Sequence, residues 1–247
     1  MRVTLIDFTG KGQPDPARYA AALLIFTKNT RLEMSPGNFE KTHCKAEGAA
    51  IDEELSYMSR TIPSSWEFVD YTFAIEGVTR AFTHQLVRTR TASYAQQAMR
   101  VLDVRGFDYA TGPSIFNDEA RRDLYDSAMA SCDLAYRALI DGGAKPEDAR
   151  GVLPTNICTN IIAKMNMRTF VDLCAKRGSA RVQGEYRGVL EGMKTVVRAV
   201  HPFIDEFIAS APQRAIEELQ EAILDNVPEE TALKMIKNLD ILRRNYT

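Results

Sequence analysis

Along the chain, apolar positions alternate in some stretches and fall into helical spacing in others, and the switches between the two periods mark its elements. Val3, Leu5 and Ile6 open a short strand, which the Gly- and Pro-rich residues 10–16 break. Residues 17–30 follow in helical spacing, and residues 36–60 are polar, with a helical patch over 51–60. The clearest strand is 68–75, where Val69, Tyr71, Phe73 and Ile75 fall on one face by alternation. After Gly77 the period changes, and Val78, Ala81, Phe82, Gln85 and Leu86 form a helical stripe over 78–87. Further on, Asn117 is the expected N-cap of a long helix with Tyr125, Ala128, Met129, Cys132, Ala135, Tyr136 and Leu139 on its apolar face and Gly142 at its end. Pro146 suits the first turn of another helix. Helical spacing is predicted over 157–176, and again over 180–208 along Val182, Tyr186, Val189, Met193, Val197, Val200 and Ile204. The predicted class is α+β, with several long helices around one antiparallel or mixed sheet. A catalytic domain is expected over 1–212 and a charged helical extension over 213–247.

The chain has 247 residues, 45% of them hydrophobic, and a formal net charge of -2, enough for a large core and too balanced for a nucleic-acid coat. Cys44, Cys132, Cys158 and Cys174 show no metal-ligand spacing, and no apolar run approaches the ~20 residues of a membrane span. These features, with a strand rather than a leader at the start, predict a cytoplasmic protein with reduced thiols and no membrane or nucleic-acid partner. The three histidines, His43, His84 and His201, are assigned structural roles, and Met99, Met165, Met167 and Met193 are assigned to packing.

One stretch departs from this even distribution. Residues 88–100, "RTRTASYAQQAMR", hold three arginines among small and amide side chains with no acid. On an extended chain Arg88 and Arg90 would share a face. A guanidinium fork matches phosphate oxygens bidentately, so a small phosphorylated ligand is the expected partner.

These residues resemble the flavin-dependent thymidylate synthases, whose signature is an Arg-His-Arg triplet, a Ser after a fixed interval, and an Arg two residues further on. Arg88, Arg90, Thr91, Ala92, Ser93 and Arg100 match it; so does the lead-in of residues 68–88, with Glu67 and Gln85. "ARGVLPTN" is similar to the family's segment around a phosphate-contacting arginine, here Arg150, and "NMRTFVDLCAKR" to its late block, placing Asn166, Arg168 and Arg177. The likeness covers about residues 1–208. It departs at Thr89 for the triplet His, Gln96 for Glu, Ala98 for Ser, Phe68 for a His, and Asp172 for an Asn. In these departures the chain looks like the branch that methylates UMP as well as dUMP in nucleoside-antibiotic biosynthesis of the polyoxin type.

The resemblance implies C5 methylation of UMP or dUMP, with bound FAD, methylenetetrahydrofolate as carbon donor and NADPH as reductant. It also implies ring activation without an enzyme nucleophile, which agrees with Ala98 and with the lack of cysteine between Cys44 and Cys132. It assigns Gln85, Gln96, Gln97, Ala98, Met99, Arg100, Arg150 and Arg177 to the nucleotide, with Arg177 also the catalytic residue beside the uracil carbonyl. It assigns Arg88, Thr89, Arg90, Thr91, Gln96, Asn166, Arg168 and Asp172 to FAD. A homotetramer with sites shared between subunits is implied as well. Two alternatives stay open on the residues alone: a non-catalytic nucleotide- or flavin-binding homologue, and a uridylate hydroxymethylase.

Overall fold

The computed structural model describes residues 1–30, 34–45, 48–61, 63–177, 184–208, 219–220 and 222–246. Four strands, β1 (Arg2–Phe8), β2 (Asp70–Thr79), β3 (Ser93–Gln96) and β4 (Cys158–Asn166), form one sheet in the order β1-β2-β4-β3. Most of the other described residues are helical, so the class is α+β as the periodicity predicts. The chain divides into two compact units: Met1–Thr4 with Phe73–Lys164, and Leu5–Thr72 with Met165–Thr247.

In the first unit β2 does not end at Gly77. Its buried positions alternate through Phe73 and Ile75, and then Val78 and Thr79 are buried together. Gly77, exposed and at φ +63°, breaks the alternation there, and its N–H donates to Asn160 Oδ1 at 3.0 Å. The change of period after Gly77 is therefore a break in alternation within one strand. The helix α4 starts only at Arg80 and runs to Leu86, with Thr79 as N-cap accepting from Phe82 N. The N–H groups of Arg80 and Ala81 donate to the carbonyls of Ile157 and Thr155 at 3.1 and 2.7 Å.

Strand β4 occupies residues predicted to be helical. Thr159, Ile161, Ala163 and Met165 point inward in strict alternation, and β3 pairs with it antiparallel, Tyr94 opposite Ala163 and Gln96 opposite Ile161. A short helix α5 (Pro113–Phe116) precedes the long helix α6 (Glu119–Asp141). Asp118, not Asn117, is the N-cap of α6, accepting from Arg121 N; Asn117 ends α5. The helix buries Met129 and Tyr136, while Tyr125 and Cys132 are half-buried and Ala128, Ala135 and Leu139 face out. Gly142 caps α6 with an ordinary negative φ, and Gly143 takes the left-handed turn. Pro146 opens α7 (Pro146–Ala149) as predicted, and a 3-10 turn, Arg150–Val152, leads on toward β4.

The second unit holds α1 (Pro16–Lys28), α2 (Pro36–Lys45), α3 (Gly48–Ser59) and a 3-10 turn, Pro63–Phe68. Asp15 caps α1 and Pro16 sets its first φ, so that Ala20, Ala21, Ala22, Leu24 and Ile25 enter the core. After β4 come α8 (Met167–Arg177), α9 (Gly184–Arg198) and α10 (Ile204–Ile208). The helix predicted over 180–208 is thus broken at 199–203, where Pro202 lacks the N–H a helix needs. Val182 and the boundary at 212/213 lie outside the described residues; within the extension, α11 (Glu229–Tyr246) is helical.

At that break sits His201, fully buried. Its Nδ1 lies 3.0 Å from the Tyr71 hydroxyl and its Nε2 3.0 Å from the Thr9 carbonyl. A carbonyl only accepts, so Nε2 carries the hydrogen and the Tyr71 hydroxyl donates to Nδ1. Phe203 stacks on the ring at 5.3 Å, and Phe8 meets it edge-on at 5.7 Å. Among the described residues no helix is long and apolar enough to cross a membrane.

Candidate functional site

The residues singled out from the sequence fall into one group in each unit. In the first unit, α4 delivers the chain into residues 87–92, which turn back toward β3. The N–H groups of Arg88 and Thr89 donate to the carbonyls of Gln85 and Leu86, and Ala92 N donates to Thr89 O. Arg88 and Arg90 therefore sit in a tight turn, and the period-two argument for a shared face does not apply to them. Tyr94 secures this turn from β3: its hydroxyl lies 2.9 Å from the Leu86 carbonyl and 3.1 Å from the Thr89 carbonyl. Burial raises the Tyr94 pKa, which keeps the hydroxyl protonated and able to donate. The side chains of Arg88, Arg90 and Arg100 are exposed and form no ion pair or hydrogen bond among the described residues. Thr91, Gln97 and Ala98 are exposed, and Gln85, Thr89 and Gln96 half-buried. Met99 is buried, 8% exposed, which agrees with its assignment to packing.

Two guanidiniums of this unit lie near enough for one to feel the charge of the other. The Arg80 pKa is lowered, first by burial and then by the nearby charge of Arg150. Arg80 Nη1 reaches the Gln97 carbonyl at 3.5 Å, and Arg150 Nε donates to the Glu147 carbonyl at 3.2 Å. Neither has a carboxylate partner among the described residues. Like charges held together without an acid repel each other, and an anion arriving between them relieves that repulsion. Sequence reading found Arg150 and missed Arg80. A short chain of hydrogen bonds runs beside the pair: Thr83 Oγ1 donates to the Arg80 carbonyl, and Gln96 Nε2 donates to Thr83 Oγ1, each at 3.0 Å.

In the second unit, Asn166 and Arg168 stand at the start of α8 because the strand-to-helix switch falls there. Asn166 Oδ1 accepts from Thr169 N at 2.9 Å, which fixes the side chain and leaves its amide nitrogen without a hydrogen bond among the described residues. Arg168 Nη1 meets Glu67 Oε1 at 2.6 Å, an exposed pair that orients the guanidinium and contributes about 0–1 kcal/mol to stability. Asp172 pairs with Lys176 at 3.6 Å on the outside of the same helix. Arg177, half-buried at its end, lies 5.6 Å over the Tyr186 ring. His84 is exposed, His201 is structural, and the His43 side chain falls outside the described ones. Met165, Met167, Met193 and Cys174 are core, as expected.

Two features that could have marked other chemistry do not. No cluster of His, Cys, Asp and Glu among the described residues could hold a metal. A cavity of about 340 Å3 between α1, α3 and Pro202–Phe203 contains none of the predicted residues.

Comparison with known proteins identifies relatives of this chain. The family model described as "Thymidylate synthase complementing protein" matches residues 4–203. The "Flavin-dependent thymidylate synthase" of Geobacter sulfurreducens is 36% identical over 206 residues, 83% of this chain and 85% of the relative. Proteins of the same name are 32% identical in Clostridium tetani, over 82% of this chain and 84% of the relative, and 31% identical in Sulfurisphaera tokodaii, over 84% and 77%.

Proposed function

We propose that this chain, which belongs to the thymidylate synthase complementing protein family, is a flavin-dependent methylase of uracil C5 in dUMP and UMP. The single observation that carries the reading is that Arg80 and Arg150, near enough for their charges to interact, have no acid partner among the described residues, which suits the oxygens of a phosphate. Arg100 extends the same positive segment. Arg80 and Arg150 belong to one compact unit, and a homotetramer with shared sites is part of this proposal.

The chain's own groups suit an oxidoreduction whose difficult chemistry a cofactor supplies. Arg88 and Arg90, unpaired and held by Tyr94, offer cations to the pyrophosphate of FAD. The free amide nitrogen of Asn166 and the Arg168 guanidinium offer donors to the flavin. Bound FAD, with NADPH as its reductant, would supply the hydride and methylenetetrahydrofolate the carbon, while the protein's own residues orient the partners and stabilise charge. Arg177 is the group for that second task, a cation beside the uracil carbonyl as negative charge develops there. Ala98 has no nucleophilic atom, which agrees with ring activation that does not use an enzyme nucleophile.

Thr89, Gln96 and Ala98 support the UMP side of the reading, which is that of the nucleoside-antibiotic branch. Gln can donate as well as accept where a carboxylate only accepts, and Ala leaves room. The test is product analysis with UMP and dUMP in parallel, in the presence of FAD, methylenetetrahydrofolate and NADPH. Release of tritium from C5 with a mass gain of one methyl supports methylation. A hydroxymethyl product, or flavin binding without turnover, would replace it with one of the two alternatives.

A further inference from the structure

The hydrogen bonds beside the guanidinium pair run in one direction. Thr83 is fully buried on α4, and its hydroxyl donates to the Arg80 carbonyl at 3.0 Å. A hydroxyl has one hydrogen, and a carbonyl can only accept it. With that hydrogen committed, Thr83 Oγ1 can only accept from residue 96, and Gln96 Nε2 donates to it at 3.0 Å. Thr83 thereby decides which end of the Gln96 amide faces the helix. The other end, Oε1, makes no hydrogen bond among the described residues, and Gln96 is half-buried on β3. An ionised carboxylate at position 96 could not complete this chain, having no hydrogen to give.

We infer that Thr83 is a positioning residue for substrate choice: it holds Gln96 Oε1 as a fixed acceptor for a hydroxyl on the ligand, the 2′-hydroxyl of a uridine nucleotide. The inference rests on the nucleotide reading above. The acceptor is built close in the chain to the cations proposed for the phosphate. Arg80 touches the Gln97 carbonyl while its own carbonyl holds Thr83, so the cations for the phosphate and the acceptor for the sugar are built on adjoining residues. Ribose gives Oε1 a donor; deoxyribose gives it none.

Titration calorimetry on the full chain with UMP and with dUMP tests this without requiring turnover. In Thr83→Val the amide loses its fixed partner, and the affinity ratio of UMP to dUMP falls roughly three- to tenfold, the size of one neutral hydrogen bond. Thr83→Ser, which keeps the hydroxyl, retains the ratio. Gln96→Leu lowers it as Thr83→Val does, and the double variant lowers it no further, because both changes remove the same contact. Equal weakening of both nucleotides in Thr83→Val makes Thr83 a packing residue and overturns the inference, as does an additive double variant. Since Gln96 is not in the core, Gln96→Leu keeps the test open if Thr83→Val misfolds: an unmoved ratio there sinks it too. Binding of neither nucleotide by the wild type removes the proposed function along with this one.

Discussion

Lowering the pH from 7 to 5 should destabilise the fold through His201. Burial holds its pKa down to about 4 from an ordinary 6.5, against a partial opposing effect of the Thr9 and Pro16 carbonyls. The geometry agrees, because the ring is fully buried, stacked on Phe203, and bonded on both nitrogens in its neutral form. A depressed pKa means the folded state disfavours the proton, so unfolded chains bind more protons between pH 6.5 and 4, and stability falls as pH falls through that window. At about 1.36 kcal/mol per pKa unit the full effect is about 3 kcal/mol, of which about 2 kcal/mol is lost between pH 7 and 5. For a chain of this size that is a drop in Tm of roughly 4–8 °C. Urea unfolding of wild type and His201→Gln at both pH values measures it: the variant is less stable at pH 7 but loses about 2 kcal/mol less on acidification. Equal losses in the two proteins would show that the histidine is accessible to protons in the folded state, and the reasoning would fail.

Arg80→Ala and Arg150→Ala should each weaken nucleotide binding by about 1.5–3 kcal/mol, the scale of a charge-assisted hydrogen bond, measured by calorimetry with dUMP. Loss of affinity in Arg150→Ala alone would remove Arg80 from the site. Arg177→Ala should lower turnover more than it raises the nucleotide Kd, because its partner charge arises only during reaction; a change confined to KM contradicts that role. Tyr94→Phe deletes the hydroxyl that secures the turn and costs about 0.5–1.5 kcal/mol. Trypsin should then cleave faster after Arg88 and Arg90, and FAD should dissociate more readily; an unchanged cleavage rate would mean that the turn holds without it.

What the sequence shows and hides in this chain follows from how local each feature is. The face of Val69, Tyr71, Phe73 and Ile75, the α1 helix and the Pro146 turn are local patterns, and the structure keeps them. Strand β4 was hidden by its spacing. Ile157, Ile161 and Met165 stand four apart, which suits a helix stripe and strand alternation equally; Ala163, also buried, is what favours the strand. The partner that decides is β3, a four-residue strand inside the arginine stretch, and no local pattern announces it. Gly77 misled for a related reason, since a break in alternation inside a strand and the end of a strand look alike in the sequence. At 117–118 two adjacent capping residues compete, and the one that follows the α5 turn caps the long helix.

The arginines divide along the same line. Residues 88–100 were conspicuous because three cations without an acid stand close together in the chain. Arg80 was not, because a single arginine at the start of a helix usually finds solvent or a carboxylate. Its chemistry comes from Arg150, which the Arg150–Val152 turn brings near after the whole of α5, α6 and α7 has intervened. Thr83 was hidden more deeply still, as one small polar residue buried beside Phe82 and Leu86 and outside the stripe read from the sequence. Its role depends on a donor and an acceptor, the Gln96 amide on β3 and the Arg80 carbonyl one turn back, that only the fold sets on either side of it. Residues that touch a ligand can thus be conspicuous by charge alone, whereas those that decide which end of a neighbour faces it become visible only through directed hydrogen bonds.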